Sequence, residues 1–126
     1  MDKAQAIHSF WNSFGVPAYD ENSAYDSQME IEFPYITYSV STDSLGFPVV
    51  MTADVWYKSY SWKEISEKTE QIAKYIETEM RPIPLDVGYL YITKGTPFAQ
   101  RMTEETGVDN VRRMFLIINA EFLTIY

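Results

Sequence analysis

The sequence predicts an α+β domain, a mostly antiparallel β-sheet with two α-helices packed on one face, and three observations lead there. Residues 61–81 carry one apolar stripe, Ile65, Thr69, Ile72, Ala73, Ile76 and Met80, at three- and four-residue spacing, which must be buried on something. Segments before and after it alternate apolar and polar residues with the two-residue period of half-buried strands. The order of elements is helix, short strand, two hairpin strands, helix, two strands, without the βαβ alternation that builds parallel sheets.

Asp2 is placed to cap a first helix in which Ile7, Phe10, Trp11 and Phe14 share a face, and Gly15 followed by Pro17 supplies the stop. A short strand is expected at 16–19. Residues 20–32 carry Asp20, Glu21, Asp26, Glu30 and Glu32 without periodicity and read as an acidic loop. Pro34 opens a strand with Ile36, Tyr38 and Val40 on one side and Tyr35, Thr37 and Ser39 on the other. Turn chemistry at 43–46 leads to its hairpin partner, where Val49, Met51, Ala53, Val55 and Tyr57 oppose Val50, Thr52, Asp54, Trp56 and Lys58. In the second helix Ser61 and Glu64 fit a capping box, Tyr60 and Ile65 stand where a hydrophobic staple would, and Pro82 ends the run after Arg81. Residues 83–85 read as an extended connection. The next strand places Leu90 and Ile92 opposite Tyr89, Tyr91 and Thr93 and is expected to end at Gly95-Thr96-Pro97, before a polar excursion at 99–110. The last strand, 111–124, alternates Met114, Leu116, Ile118, Ala120 and Phe122 against Arg113, Phe115, Ile117, Asn119 and Glu121, the pattern of a long central strand. No repeat or linker divides residues 1–126, so one domain is expected.

At 46% hydrophobic residues the chain has the material for a core, and its formal net charge of −8 opposes binding to a phosphate backbone. Sequence-specific nucleic-acid binding is not expected. The absence of cysteine excludes a disulfide scaffold, a thiolate nucleophile and cysteine-ligated metal. No stretch approaches the roughly 18 apolar residues of a membrane span, and residues 1–6 have no signal-peptide character, so an unexported protein with no membrane partner is expected.

No residue set announces a reaction. His8 is the single histidine and has no neighbouring nucleophile or second imidazole, which makes a metal site or a catalytic base a poor reading. Carboxylate pairs at Glu30/Glu32, Glu77/Glu79 and Glu104/Glu105 lie in polar loops or on helix edges, whereas acid–base work needs a buried acid with a raised pKa. No phosphate-binding glycine motif, G-x-S-x-G or H-E-x-x-H occurs. No cofactor is implied. Acid-before-base pairs at i, i+4, Glu64/Lys68, Glu70/Lys74 and Glu77/Arg81, fit a solvated helix face. Arg112-Arg113 could meet a phosphate or form a salt bridge to the acidic 20–32 loop of a neighbouring copy.

The feature with most content is the sheet face away from the helices. The alternation gives it Tyr35, Trp56, Tyr89, Tyr91, Phe115 and Ile117 among Thr37, Thr52 and Thr93. Solvent faces are normally more charged, so the patch reads either as a protein interface or as a surface covered by Tyr19 and nearby loop residues of the same chain.

Several stretches together resemble the tail terminator (tail completion) proteins of phages and prophages. They are the Ile7-His8-Ser9-Phe10-Trp11 helix with Val16-Pro17-Ala18-Tyr19 after it, the Pro34-Tyr35-Ile36-Thr37-Tyr38 strand, Trp56-Tyr57 running into Ser61-Trp62, Gly95-Thr96-Pro97-Phe98-Ala99-Gln100, and the last strand from Arg112-Arg113 to Glu121-Phe122-Leu123. The resemblance implies a non-enzymatic α+β subunit of a homo-oligomeric ring, commonly a hexamer, that caps the tail tube and joins it to the head. Its partners would be further copies of itself, tail-tube proteins and head-completion proteins. It would work in the bacterial cytoplasm during assembly and then at the head-proximal end of the virion tail. The family supplies no catalytic residues, so the candidate interface residues Tyr35, Trp56, Tyr89, Tyr91, Phe115, Ile117, Arg112 and Arg113 rest on the alternation. The alternatives are a different phage neck or minor tail protein, a ligand- or peptide-binding module using the aromatic face as a wall, and an enzyme whose acids converge only in the fold.

Overall fold

The computed structural model describes residues 1–21, 32–40, 49–102 and 110–123. In chain order the elements are α1 (Lys3–Trp11), β1 (Ala18–Asp20), β2 (Tyr35–Tyr38), β3 (Val49–Lys58), α2 (Lys63–Thr78), β4 (Ile83–Leu85), β5 (Gly88–Met102) and β6 (Val111–Leu123). The strands form one sheet in the order β1-β2-β3-β6-β5-β4. Every pairing is antiparallel except β1 with β2 at one edge. The expected α+β architecture is therefore the observed one.

The alternation of each strand sets its inner face. Ile36 and Tyr38 on β2, Met51, Ala53 and Val55 on β3, Leu90 and Ile92 on β5, and the five predicted residues of β6 join the apolar stripes of both helices in one buried core. β6 lies between β3 and β5, which makes it central as its long run suggests. Each aliphatic side chain fully buried here is worth about 1.5–3 kcal/mol against the entropy of ordering the chain.

The start of α1 follows its sequence. Asp2 accepts from the Gln5 N–H at 2.8 Å while the Gln5 side chain accepts from the Asp2 N–H at 3.0 Å, closing a capping box. Beyond its C-terminus Gly15 takes φ +85°, a value side chains with a Cβ rarely adopt, and the Lys68 ammonium of α2 donates to the Phe14 carbonyl at 2.6 Å. The two helices are thus joined by a charge-assisted bond as well as by Phe10 and Phe14 against Tyr75.

The structure corrects the sequence reading at several places. The Ser61/Glu64 capping box does not form: Ser61 Oγ accepts from the Lys63 N–H at 3.0 Å, a turn of two residues, so α2 starts at Lys63 with Trp62 as an uncapped N-cap. The staple fails with it, because Tyr60 is 77% exposed. α2 ends at Thr78, and Met80 is buried beyond it. None of the three i, i+4 pairs is among the ion pairs of the described residues; Lys68 turns to Phe14, and Glu77 pairs with Lys94 of β5. The short strand runs from Ala18 to Asp20, not 16–19, since it pairs with Ile36 to Tyr38. Residues 83–85 are a sixth, edge strand. β5 does not stop at Gly95 but continues to Met102 across an irregularity between Lys94 and Ala99. The 43–46 turn and most of the 20–32 and 99–110 loops lie outside the described residues.

Candidate interaction surface

The register gathers the candidate residues on the face opposite the helices. Tyr35 pairs with Trp56 and Trp56 with Arg113; Thr37 pairs with Asp54 and Asp54 with Phe115; Thr52 pairs with Ile117. On the far side Tyr91 pairs with Glu121 and Tyr89 with Leu123. Paired residues share a face, so all of these side chains stand on the same side of the sheet.

This face has two different halves. Near the start of β6, Tyr35 stacks on Trp56 with ring centroids 5.9 Å apart and planes 15° apart, and the Arg113 guanidinium lies 5.3 Å from the Trp56 ring centre. Beneath them the Trp56 indole N–H donates to the Thr37 hydroxyl at 3.0 Å, and Arg113 Nε donates to Asp54 Oδ1 at 2.7 Å. Asp54 and Thr37 are buried although they sit on the outer face. The charge of Asp54 is tolerated there because a charge-assisted bond meets it, and Trp56 is the lid over both polar contacts. Trp56, Phe115 and Ile117 are half-buried.

The other half is open. Val50 is 61%, Leu123 42%, Tyr89 41% and Tyr91 39% exposed, and all four share the outer side near the end of β6. Val50 and Leu123 were not among the sequence-predicted residues; their alternation places them there, but exposure separates them from Ile117 only once the sheet is assembled.

Arg112 and Arg113 part company. Adjacent residues of a strand point to opposite faces, so Arg112 lies on the helix side, 5.4 Å from the centre of the Trp62 ring, and donates to the Tyr60 carbonyl at 2.9 Å. Arg101 approaches the same indole at 4.9 Å. The two arginines therefore do not form one basic site.

Trp56→Lys is accordingly expected to cost stability as well as contact area. It loses the Tyr35 stack and leaves the Thr37 hydroxyl without its donor, together about 2 kcal/mol. Urea unfolding followed by circular dichroism reads this; an unchanged midpoint would mean that the stack contributes nothing to the fold.

Elsewhere the chemistry is sparse. His8 Nδ1 lies 2.9 Å from the Tyr38 hydroxyl, and among the described residues no group of three His, Asp or Glu side chains is placed to hold a metal ion. A polar groove of about 550 Å³ runs beside the first turns of α2, lined by Phe33, Tyr57, Lys58, Glu64, Glu67 and Lys68 among others. One of its lining residues, Phe33, also meets Tyr35 of the aromatic cluster, with ring centroids 5.2 Å apart. No helix among the described residues is long and apolar enough to cross a membrane.

Two tyrosines give the protein an alkaline limit. Burial, then the nearby Asp20 charge, raises the Tyr38 pKa above its ordinary 10.0; burial, then Glu64 and Glu67, raises that of Tyr57. The unfolded chain loses these protons first, so stability is level below the ordinary value and falls as pH rises from there through the raised folded pKa values. Urea midpoints across this alkaline range check it: Tyr57→Phe is expected to flatten the decline, and an identical slope in that variant would contradict the assignment.

The chain matches no protein-family model and no curated protein.

Proposed function

We propose that this protein is a non-enzymatic structural subunit of a phage or prophage tail, resembling a tail terminator, which assembles into a homo-oligomeric ring that caps the tail tube and joins it to the head. The observation that carries the reading is the composition of the helix-free sheet face, where Val50, Tyr89, Tyr91 and Leu123 remain exposed beside the Tyr35, Trp56 and Arg113 cluster. Aromatic and arginine side chains beside exposed apolar ones are the composition of association surfaces. The resemblance of the stretches from Ile7 to Leu123 supplies the ring and its place at the head-proximal end, with tail-tube and head-completion proteins as further partners.

The net charge of −8 suits the same role. An acidic ring around a DNA passage repels the phosphate backbone and lets it slide. On this reading the protein is made in the bacterial cytoplasm and ends in the virion.

Size-exclusion chromatography with light scattering, followed by electron microscopy of the peak, tests the proposal. A closed ring of several copies is the expected particle. A strictly monomeric protein at high concentration, also unable to join purified tail tubes, would remove it.

A further inference from the structure

We propose that the β4 segment of the sheet edge is a built-in barrier to strand addition, so that no partner strand continues the sheet from β4. Along an antiparallel strand, successive residues direct their N–H and C=O groups alternately toward the neighbour and away from it. Ile83 pairs with Leu90, Pro84 with Tyr89 and Leu85 with Gly88, across a two-residue turn at Asp86 and Val87. In such a hairpin the residues flanking the turn exchange the backbone bonds, which directs Ile83 and Leu85 to β5 and Pro84 outward. Continuing the alternation, positions 82, 84 and 86 face away from the sheet.

Those three positions offer no free donor. Pro82 and Pro84 have no N–H, and the Asp86 N–H is donated to the Met1 carbonyl at 2.8 Å. A strand adding here would find the carbonyls of Pro82 and Pro84 but would bring its own carbonyls against proline rings. Each such carbonyl would be desolvated without a partner. At the opposite edge the Ala18 N–H is likewise taken, by Asn12 Oδ1 at 3.1 Å. The barrier holds whether or not the protein forms a ring.

The test replaces both prolines, Pro82→Thr with Pro84→Val, which restores two outward N–H groups at exposed positions. With the circular dichroism of the wild type retained, the variant is expected to gain mass with concentration, at least roughly two-fold above the wild type under the same conditions, as sheets join edge to edge. The amides at 82 and 84 should become protected from hydrogen exchange in the same range. A folded variant that keeps the wild-type mass and exchanges freely at both amides would overturn the proposal. Hydrogen exchange on the wild type gives an independent reading that needs no variant. Protection at the Asp86 amide should not change with concentration, and a rise there would overturn the proposal as well.

Discussion

Trp11→Ala is expected to lower the free energy of unfolding by about 3–5 kcal/mol. Trp11 is wholly inaccessible, packed edge-on against Phe10 within the core shared by the helices and the sheet. Its removal forfeits the transfer of a large ring from water and leaves a cavity in the core. The indole N–H, however, has no hydrogen-bond partner among the described residues. An unmet buried donor carries a penalty of about 1–3 kcal/mol, so Trp11→Phe removes a cost along with the lost area and should be far milder than its volume change suggests. Chemical denaturation of both variants separates the terms. Equal losses in the two would show that volume at this site matters less than the indole itself.

Gly95→Ala is expected to cost about 3 kcal/mol, the upper end of the range for over-packing. A Cβ at Gly95 would lie 2.5 Å from Ile117 Cγ2 and 2.8 Å from the Ile117 carbonyl oxygen. The side chain can turn away, but the carbonyl belongs to the central strand and cannot move without disturbing its ladder. Adding Ile117→Ala should therefore restore only part of the loss. Full restoration would place the whole clash on the side chain, and a Gly95→Ala variant as stable as the wild type would mean that β5 approaches β6 less closely here.

Gly95 also shows how far sequence reasoning reaches. Gly95-Thr96-Pro97 has the chemistry of a strand end, yet the strand continues, because a glycine inside a strand also marks a bulge or a close backbone approach. Composition alone does not distinguish the two; the steric demand comes from Ile117, twenty-two positions further on. The strands that read most clearly, β3 and β6, are long strands whose inner face lies in the core along most of its length, where burial enforces strict alternation. The cap of α1 was legible because Asp2 and Gln5 compete with nothing else nearby. That of α2 was not, since Ser61 sits in a turn with Ser59 and bonds one residue short of the box.

The candidate surface divides in the same manner. Its membership followed from parity, which fixed the sides of Tyr35, Trp56, Phe115, Tyr89 and Tyr91 in advance. The internal bonds did not, because the contact of Asp54 with Arg113 spans 59 positions and depends on the β3–β6 register. Arg112 and Arg113 looked like a pair for the opposite reason: adjacency in sequence means opposition across a strand.

The open half of the face is the proper place to probe self-association, since Tyr89 and Tyr91 carry none of the internal bonds that tie Trp56 to the fold. Tyr89→Lys with Tyr91→Lys should leave the helical and strand signal and the urea midpoint close to wild type, as exposed substitutions usually do. The decisive measurement is the mass of this double variant beside the wild type by light scattering over a range of concentrations. A multimeric wild type and a monomeric, fully folded variant are expected; a variant that keeps the wild type's multimeric mass, or a wild type that is itself monomeric throughout, would contradict association through this face.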